Sequence, residues 1–175
     1  MSKKVRILQN IVPSFIDYPD NESLCLCVVM MGCTNNCKGC HNPLFQDPEF
    51  KEGTREVESN QLVEELKDLC KRNRTNKIVL SGGDSLSKFN IEFTKELLQE
   101  LKDDYDVCVY TGHDIDYVKE NGVTGYKFIK CGRFDMLNKR ESLKDDTKII
   151  FASPNQILYN SQNEPLSDNG VYYFN

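Results

Sequence analysis

Residues 24–43 read LCLCVVMMGCTNNCKGCHNP. The first eight, Leu24 to Met31, are apolar on both alternating faces. A strand with water on one side alternates apolar with polar; an unbroken apolar run of this length fits a parallel strand covered on both sides. The run stops at Gly32, and Cys33, Cys37 and Cys40 follow on a polar segment, Thr34-Asn35-Asn36 and Lys38-Gly39. A buried strand feeding a thiol-rich loop is therefore the seed of the fold.

Working outward, strand and helix patterns alternate. Ser59 or Asn60 can cap a helix with Leu62, Val63, Leu66, Leu69 and Cys70 at helical spacing, ending in the polar, basic stretch Lys71–Lys77. Ile78–Leu80 predicts a strand that runs into Ser81-Gly82-Gly83-Asp84. Asn90 can cap a helix bearing Phe93, Leu97, Leu98 and Leu101 on one face. Val107–Tyr110 predicts a third strand, ending at Thr111-Gly112. Asp114 caps a short helix stopped by Asn121-Gly122. Tyr126–Cys131 predicts a fourth strand, ending at Gly132, and Lys148–Phe151 a fifth. In the tail, Gln156–Asn175, two apolar-aromatic stretches separated by turn residues predict a hairpin.

Repeated βα units imply an α/β fold with a mainly parallel sheet. Ligands of such sheets sit beyond the carboxyl ends of the strands. Those ends carry the cysteine loop, the Gly82-Gly83 turn, Thr111-Gly112-His113 and Cys131-Gly132, so all are expected on one rim.

The chain has 175 residues, of which 39% are hydrophobic and 28% charged, with formal net charge −5. One domain spanning 1–175 is the expectation. The mildly acidic balance argues against a nucleic-acid partner, whose footprint is basic. No apolar run approaches the ~20 residues of a membrane span. Met-Ser-Lys-Lys is not followed by the apolar segment of a signal peptide, so a cytoplasmic setting is expected. There the eight cysteines read as metal ligands or core residues rather than disulfides. Cys25, Cys27, Cys70 and Cys108 fall on apolar faces and are expected in the core; packing is also the expectation for Cys131, at a strand end.

Three thiolates within eight residues can wrap one metal centre. An iron–sulfur cube held by three cysteines keeps one iron open for chemistry. A closed zinc site with His41 as the fourth ligand, and bare thiols packed as small apolar groups, are the alternatives.

The spacing Cys33-x-x-x-Cys37-x-x-Cys40 resembles the signature of radical S-adenosylmethionine enzymes. Gly32 to Pro43 (GCTNNCKGCHNP) looks like the glycyl-radical activase branch, and the chain is most similar there to activases of anaerobic ribonucleoside-triphosphate reductases. Leu80 to Leu86 (LSGGDSL) is similar to the second signature. Tyr110 to His113, Gly132 to Phe134 and Ser153 to Gln156 resemble later segments, in order across almost the whole chain. Gly39 suits the reductase-activating branch; His41 is as in the pyruvate formate-lyase activases. Asp17-Tyr18-Pro19-Asp20-Asn21 departs from the usual Gly-Pro-Gly run.

The resemblance implies a shortened partial-barrel fold and a [4Fe-4S] cluster on Cys33, Cys37 and Cys40. It implies S-adenosyl-L-methionine on the open iron, its methionine end at Gly82, Gly83 and Asp84, and its adenosyl portion near Gly39, Cys40 and His41. Thr111 and Gly112 would line the same pocket. The implied reaction is reductive cleavage to a 5′-deoxyadenosyl radical that takes a hydrogen from a glycine of a partner. That partner would be the glycyl-radical subunit of the reductase, and a flavodoxin-like protein would donate the electron. The other targets are a different glycyl-radical enzyme, such as pyruvate formate-lyase, or none, for a zinc-stabilised binding module.

Overall fold

The computed structural model describes residues 3–21 and 24–174; Met1 and Ser2 of the leading segment, Glu22, Ser23, and Asn175 at the end of the expected hairpin lie outside the described residues. A main sheet carries the strands β1 (Lys4–Leu8), β2 (Val12–Ser14), β3 (Cys25–Met30), β4 (Thr54–Glu58), β5 (Lys77–Gly82), β6 (Asp106–Tyr110), β7 (Phe128–Cys131) and β10 (Ile157–Asn160). Its order is β10-β7-β6-β5-β3-β1-β4, with β2 also paired to β3. The central pairs β3–β5, β5–β6 and β6–β7 are parallel. Antiparallel strands flank them on both sides. The helices α1 (Ser59–Asn73), α2 (Ile91–Leu101) and α3 (Ile115–Glu120) lie between successive parallel strands. The α/β expectation with a parallel centre holds.

Both faces of the central strands are covered, which is why β3 reads as unbroken apolar sequence. On one face Leu26, Val28, Met30, Ile78, Leu80, Val107, Val109 and Ile129 pack with Leu62, Val63 and Leu66 of α1 and Leu97, Leu98 and Leu101 of α2. Each such buried side chain contributes about 1.5–3 kcal/mol. On the other face Cys25, Cys27, Val79 and Cys108 lie under Tyr18. The Tyr18 ring meets Phe128 edge-on, with centroids 5.8 Å apart.

Several local readings are corrected. The helix at Ser59 has Glu58 at its cap position, whose N–H donates to Gln61 Oε1 at 3.3 Å. Asn90 occupies its cap position but makes no side-chain cap; its amide is drawn into the rim described below. Lys148–Phe151 is not a fifth strand of the main sheet. β9 (Lys148–Ile150) lies between β8 (Leu143–Lys144) and β11 (Val171–Tyr173) in a separate three-stranded sheet. The tail does not form the expected hairpin: β10 pairs with β7 and β11 with β9. Leu158 is fully buried with Ile149 and Phe151, and Tyr172 and Phe174 pack against the same cluster, so the two segments share hydrophobic cover while hydrogen-bonding into different sheets. Among the described residues no helix is long and apolar enough to cross a membrane.

Candidate functional site

The carboxyl ends of β3, β5, β6 and β7 open onto one cavity of about 470 Å³, within the ~300–1,000 Å³ of small-molecule sites. Cys33, Cys37, Cys40 and His41 line it from the loop after β3; Ser81, Gly82 and Gly83 from the end of β5; Tyr110, Thr111 and Gly112 from β6; Lys130 and Gly132 from β7. The rim expected from the strand pattern is thus assembled.

The cysteine loop is shaped by backbone that few residues tolerate. Gly32 has φ +99°, Asn36 +48° and Gly39 +73°. A Cβ on Gly39 would meet Met136 Sδ at 2.6 Å, so this glycine sits under the short 3₁₀ turn Met136–Asn138 rather than on the cavity wall. His41 is exposed at the cavity and packs on Phe134, with ring centroids 5.5 Å apart. All three loop thiols are free and partly exposed. Cys33 is held above the ordinary thiol range, chiefly by burial.

The Gly82-Gly83 turn is built for close approach. A Cβ on Gly82 would lie 2.2 Å from Met30 O, and one on Gly83 2.4 Å from Phe45 O. Gly82 also has φ +120°, a region that costs a side chain dearly. The turn's amides are not open donors: Gly83 N donates to Met30 O at 2.7 Å and Asp84 N to Gly32 O at 3.0 Å. The glycines therefore let the turn press against the backbone of Met30, Gly32 and Phe45, with its N–H groups donating to Met30 O and Gly32 O, while the turn lines the cavity.

Asp84 differs most from expectation. It is 2% exposed. Its carboxylate accepts from Asn35 Nδ2 at 2.7 Å, Leu86 N at 2.8 Å, Thr111 Oγ1 at 2.8 Å and Gly112 N at 2.9 Å. A carboxylate has about four lone-pair sites, and all are taken by the protein. It is not presented to a ligand's ammonium. Asn90 adds a second brace, its Nδ2 donating to Met31 O at 2.9 Å and Asp84 O at 2.8 Å.

Lys130 was not anticipated from the sequence. Its amine lines the cavity and lies over the rings of Tyr110, at 4.3 Å, and Phe151, at 5.5 Å. Among the described residues it makes no ion pair. Burial lowers its pKa, against the pull of nearby Cys108 and Asp17. A lysine inside a strand covered on both faces is the signal that could have found it. Asp17 also reaches the cavity, from the segment whose Tyr18 caps the second face. His113 is placed elsewhere, stacked on Tyr117 at 3.8 Å.

The donor set decides what the loop can hold. Thiolates suit zinc or iron–sulfur clusters. Among the described residues no three His, Cys, Asp or Glu groups converge on one ion-sized point. A closed zinc site needs its four donors within about 2.0–2.3 Å of a single ion. A cluster takes each thiolate at a different iron, and Cys33, Cys37 and Cys40 all line the one cavity.

A family model described as a 4Fe-4S single cluster domain matches residues 22–159. Two curated relatives are similar to parts of the chain, and both are named anaerobic ribonucleoside-triphosphate reductase-activating protein. The one from Haemophilus influenzae is 36% identical over 90 residues, covering 49% of this chain and 56% of the relative. The one from Vibrio cholerae serotype O1 is 31% identical over 88 residues, covering 48% and 55%. The chain thus spans about half the length of the curated relatives it matches. The crystal structure of QueE from Escherichia coli aligns with TM-score 0.43 and 12% identity over 62% of this chain and 53% of that one.

Proposed function

The chain belongs to the 4Fe-4S single cluster domain family, and from that premise we propose that it is a radical S-adenosylmethionine activase of an anaerobic ribonucleoside-triphosphate reductase. The reading rests above all on one observation: three loop thiols and the Gly82-Gly83 turn share one cavity. The names of the two relatives favour the reductase as target.

Cys33, Cys37 and Cys40 are the proposed cluster ligands, three thiolates for four irons. When bound, the cluster and S-adenosylmethionine would supply one-electron radical chemistry directed at a glycine of the partner. The chain itself supplies position and exclusion of water. Lys130, an amine without a carboxylate of its own, offers the charge that a cofactor carboxylate needs. Gly82 and Gly83 let that end of the cofactor approach bare backbone. Tyr110 and Phe134 wall the cavity with apolar surface, and His41 beside Cys40 belongs to the proposed adenosyl side. The cavity opens at the strand ends, where a polypeptide can reach it. A flavodoxin-like electron donor and a cytoplasmic setting complete the proposal.

The test is anaerobic turnover of the reconstituted protein with S-adenosylmethionine and a reductant. Formation of 5′-deoxyadenosine, together with a doublet radical signal on the reductase, is the expected result. His41, as in the pyruvate formate-lyase activases, favours a second target; the protein that acquires the doublet decides between them. Tightly held zinc and no 5′-deoxyadenosine would leave a binding module.

A further inference from the structure

Asn35 lies midway between Cys33 and Cys37, and three contacts fasten it. Its N–H points to Cys33 Sγ at 3.4 Å, its carbonyl accepts from Arg133 Nη2, and its side-chain amide donates to Asp84 at 2.7 Å. The last contact has its space made for it: a Cβ on Gly112 would fall 2.3 Å from Asn35 Nδ2. Asp84 in turn holds Thr111 Oγ1 and Gly112 N, beyond the end of β6, and Leu86 N in its own loop. One buried carboxylate therefore joins the loops that follow β3, β5 and β6. The next residue, Asn36, is in the left-handed region at φ +48°, so the chain reverses directly beside the anchored residue and turns Cys37 back toward the cavity that Cys33 lines.

We propose that Asp84 is a positioning residue rather than a cofactor ligand: through Asn35 it holds the cysteine loop in shape before any cluster is present. A loop with three thiols and no regular structure would otherwise pay its ordering entropy when the cluster binds. The pin pays part of that in folding, and the loaded protein releases its cluster more slowly. The cluster's place on this loop rests on the functional reading above; the pin itself does not.

The experiment compares wild type with Asn35→Ala, Asp84→Asn and Gly112→Ala. Amide hydrogen exchange of the apoprotein is the first readout, because it needs neither cluster nor S-adenosylmethionine. Asn35→Ala should speed exchange at the loop amides that have acceptors, position 35 (to Cys33 Sγ) and Cys40 (to Cys37 O), by about tenfold or more, with α1 and α2 unchanged. Gly112→Ala, which drives the Asn35 amide out, should do the same. Asp84→Asn should loosen residues 111–113 as well. Because Asp84 is buried, that variant can lose stability as a whole; Asn35→Ala, on a half-buried loop residue, keeps the test open. After reconstitution, Asn35→Ala should lose iron to a chelator several-fold faster, while its fully loaded fraction binds S-adenosylmethionine with wild-type affinity. Unchanged loop exchange in Asn35→Ala would overturn the pin. So would an Asp84→Asn protein that keeps its cluster but loses affinity for S-adenosylmethionine. If the loop loosens as expected while no 5′-deoxyadenosine forms in wild type, the catalytic reading fails and the pin stands.

Discussion

Cys25, Cys27, Cys70, Cys108 and Cys131 sit on strands and a helix and are buried, whereas Cys33, Cys37 and Cys40 sit on an irregular loop and stay partly exposed. The side chain is the same; the element that carries it decides its chemistry. On β3 and β6, Cys25, Cys27 and Cys108 point into a layer closed by Tyr18, and Cys70 packs among the leucines of α1. Burial pushes Cys70 up to about 11 and Cys131 to about 12, so these thiols stay protonated and inert. The loop thiols instead face a cavity with a lysine and a glycine turn opposite. A cysteine inside a regular, doubly covered element is a small apolar residue; one held on irregular loop backbone beside a cavity is open to a ligand's role, the role proposed for Cys33, Cys37 and Cys40.

The largest expected effect puts that contrast to the test directly. Cys33→Ser, Cys37→Ser or Cys40→Ser should each yield protein that folds but retains no cluster after reconstitution and gel filtration. Cys108→Ala should keep its cluster while unfolding at lower denaturant, by about 1–2 kcal/mol for the buried volume removed. Equal cluster loss in both sets would erase the distinction. Next comes Gly83→Ala, whose Cβ would meet carbonyl oxygens of Phe45 and Gly32 at 2.4 and 2.7 Å. Backbone must move to admit it, at a cost of about 1–3 kcal/mol, and S-adenosylmethionine binding by calorimetry should fall with it. Lys130→Met keeps the bulk of the side chain and removes the charge. Losing one charge-assisted contact of about 1.5–3 kcal/mol predicts affinity at least about tenfold weaker, with cluster content intact.

An effect confined to alkaline pH belongs to the core set. Cys70 has its pKa raised from 9.0 to about 11 in the folded protein, so the folded state holds the proton that the unfolded chain gives up. Its contribution is fully present below pH 9 and is lost as pH rises through about 11. Two units correspond to about 2–3 kcal/mol. Denaturant melts at pH 8 and pH 10.5 should show a steeper alkaline loss for wild type than for Cys70→Ala.

Much of the parallel centre was legible because its elements carry local signals. The unbroken run before Gly32 marked β3, and the leucine spacing marked α1 and α2. What escaped depended on pairing at a distance. β1 alternates, Val5 and Ile7 buried beside less buried neighbours, but it is short and carries Lys4 and Arg6. β4 reads TREVE, as a charged edge strand does, with little apolar pattern to notice. The tail's two strands were recognisable, but not that each finds its partner in a different sheet. At the site, the loop cysteines and the glycine turn are contiguous motifs. The role of Asp84 is not, since its donors come from three loops, up to 49 residues away in sequence.

The central claim is that Cys33, Cys37 and Cys40 hold a cluster with an open iron beside a binding site for S-adenosylmethionine. Electron paramagnetic resonance of the anaerobically reconstituted, reduced protein, with and without S-adenosylmethionine, tests it most directly. The account predicts a reduced-cluster signal whose shape changes when S-adenosylmethionine is added. A cluster signal indifferent to it, or no cluster and tightly bound zinc in its place, would contradict the account.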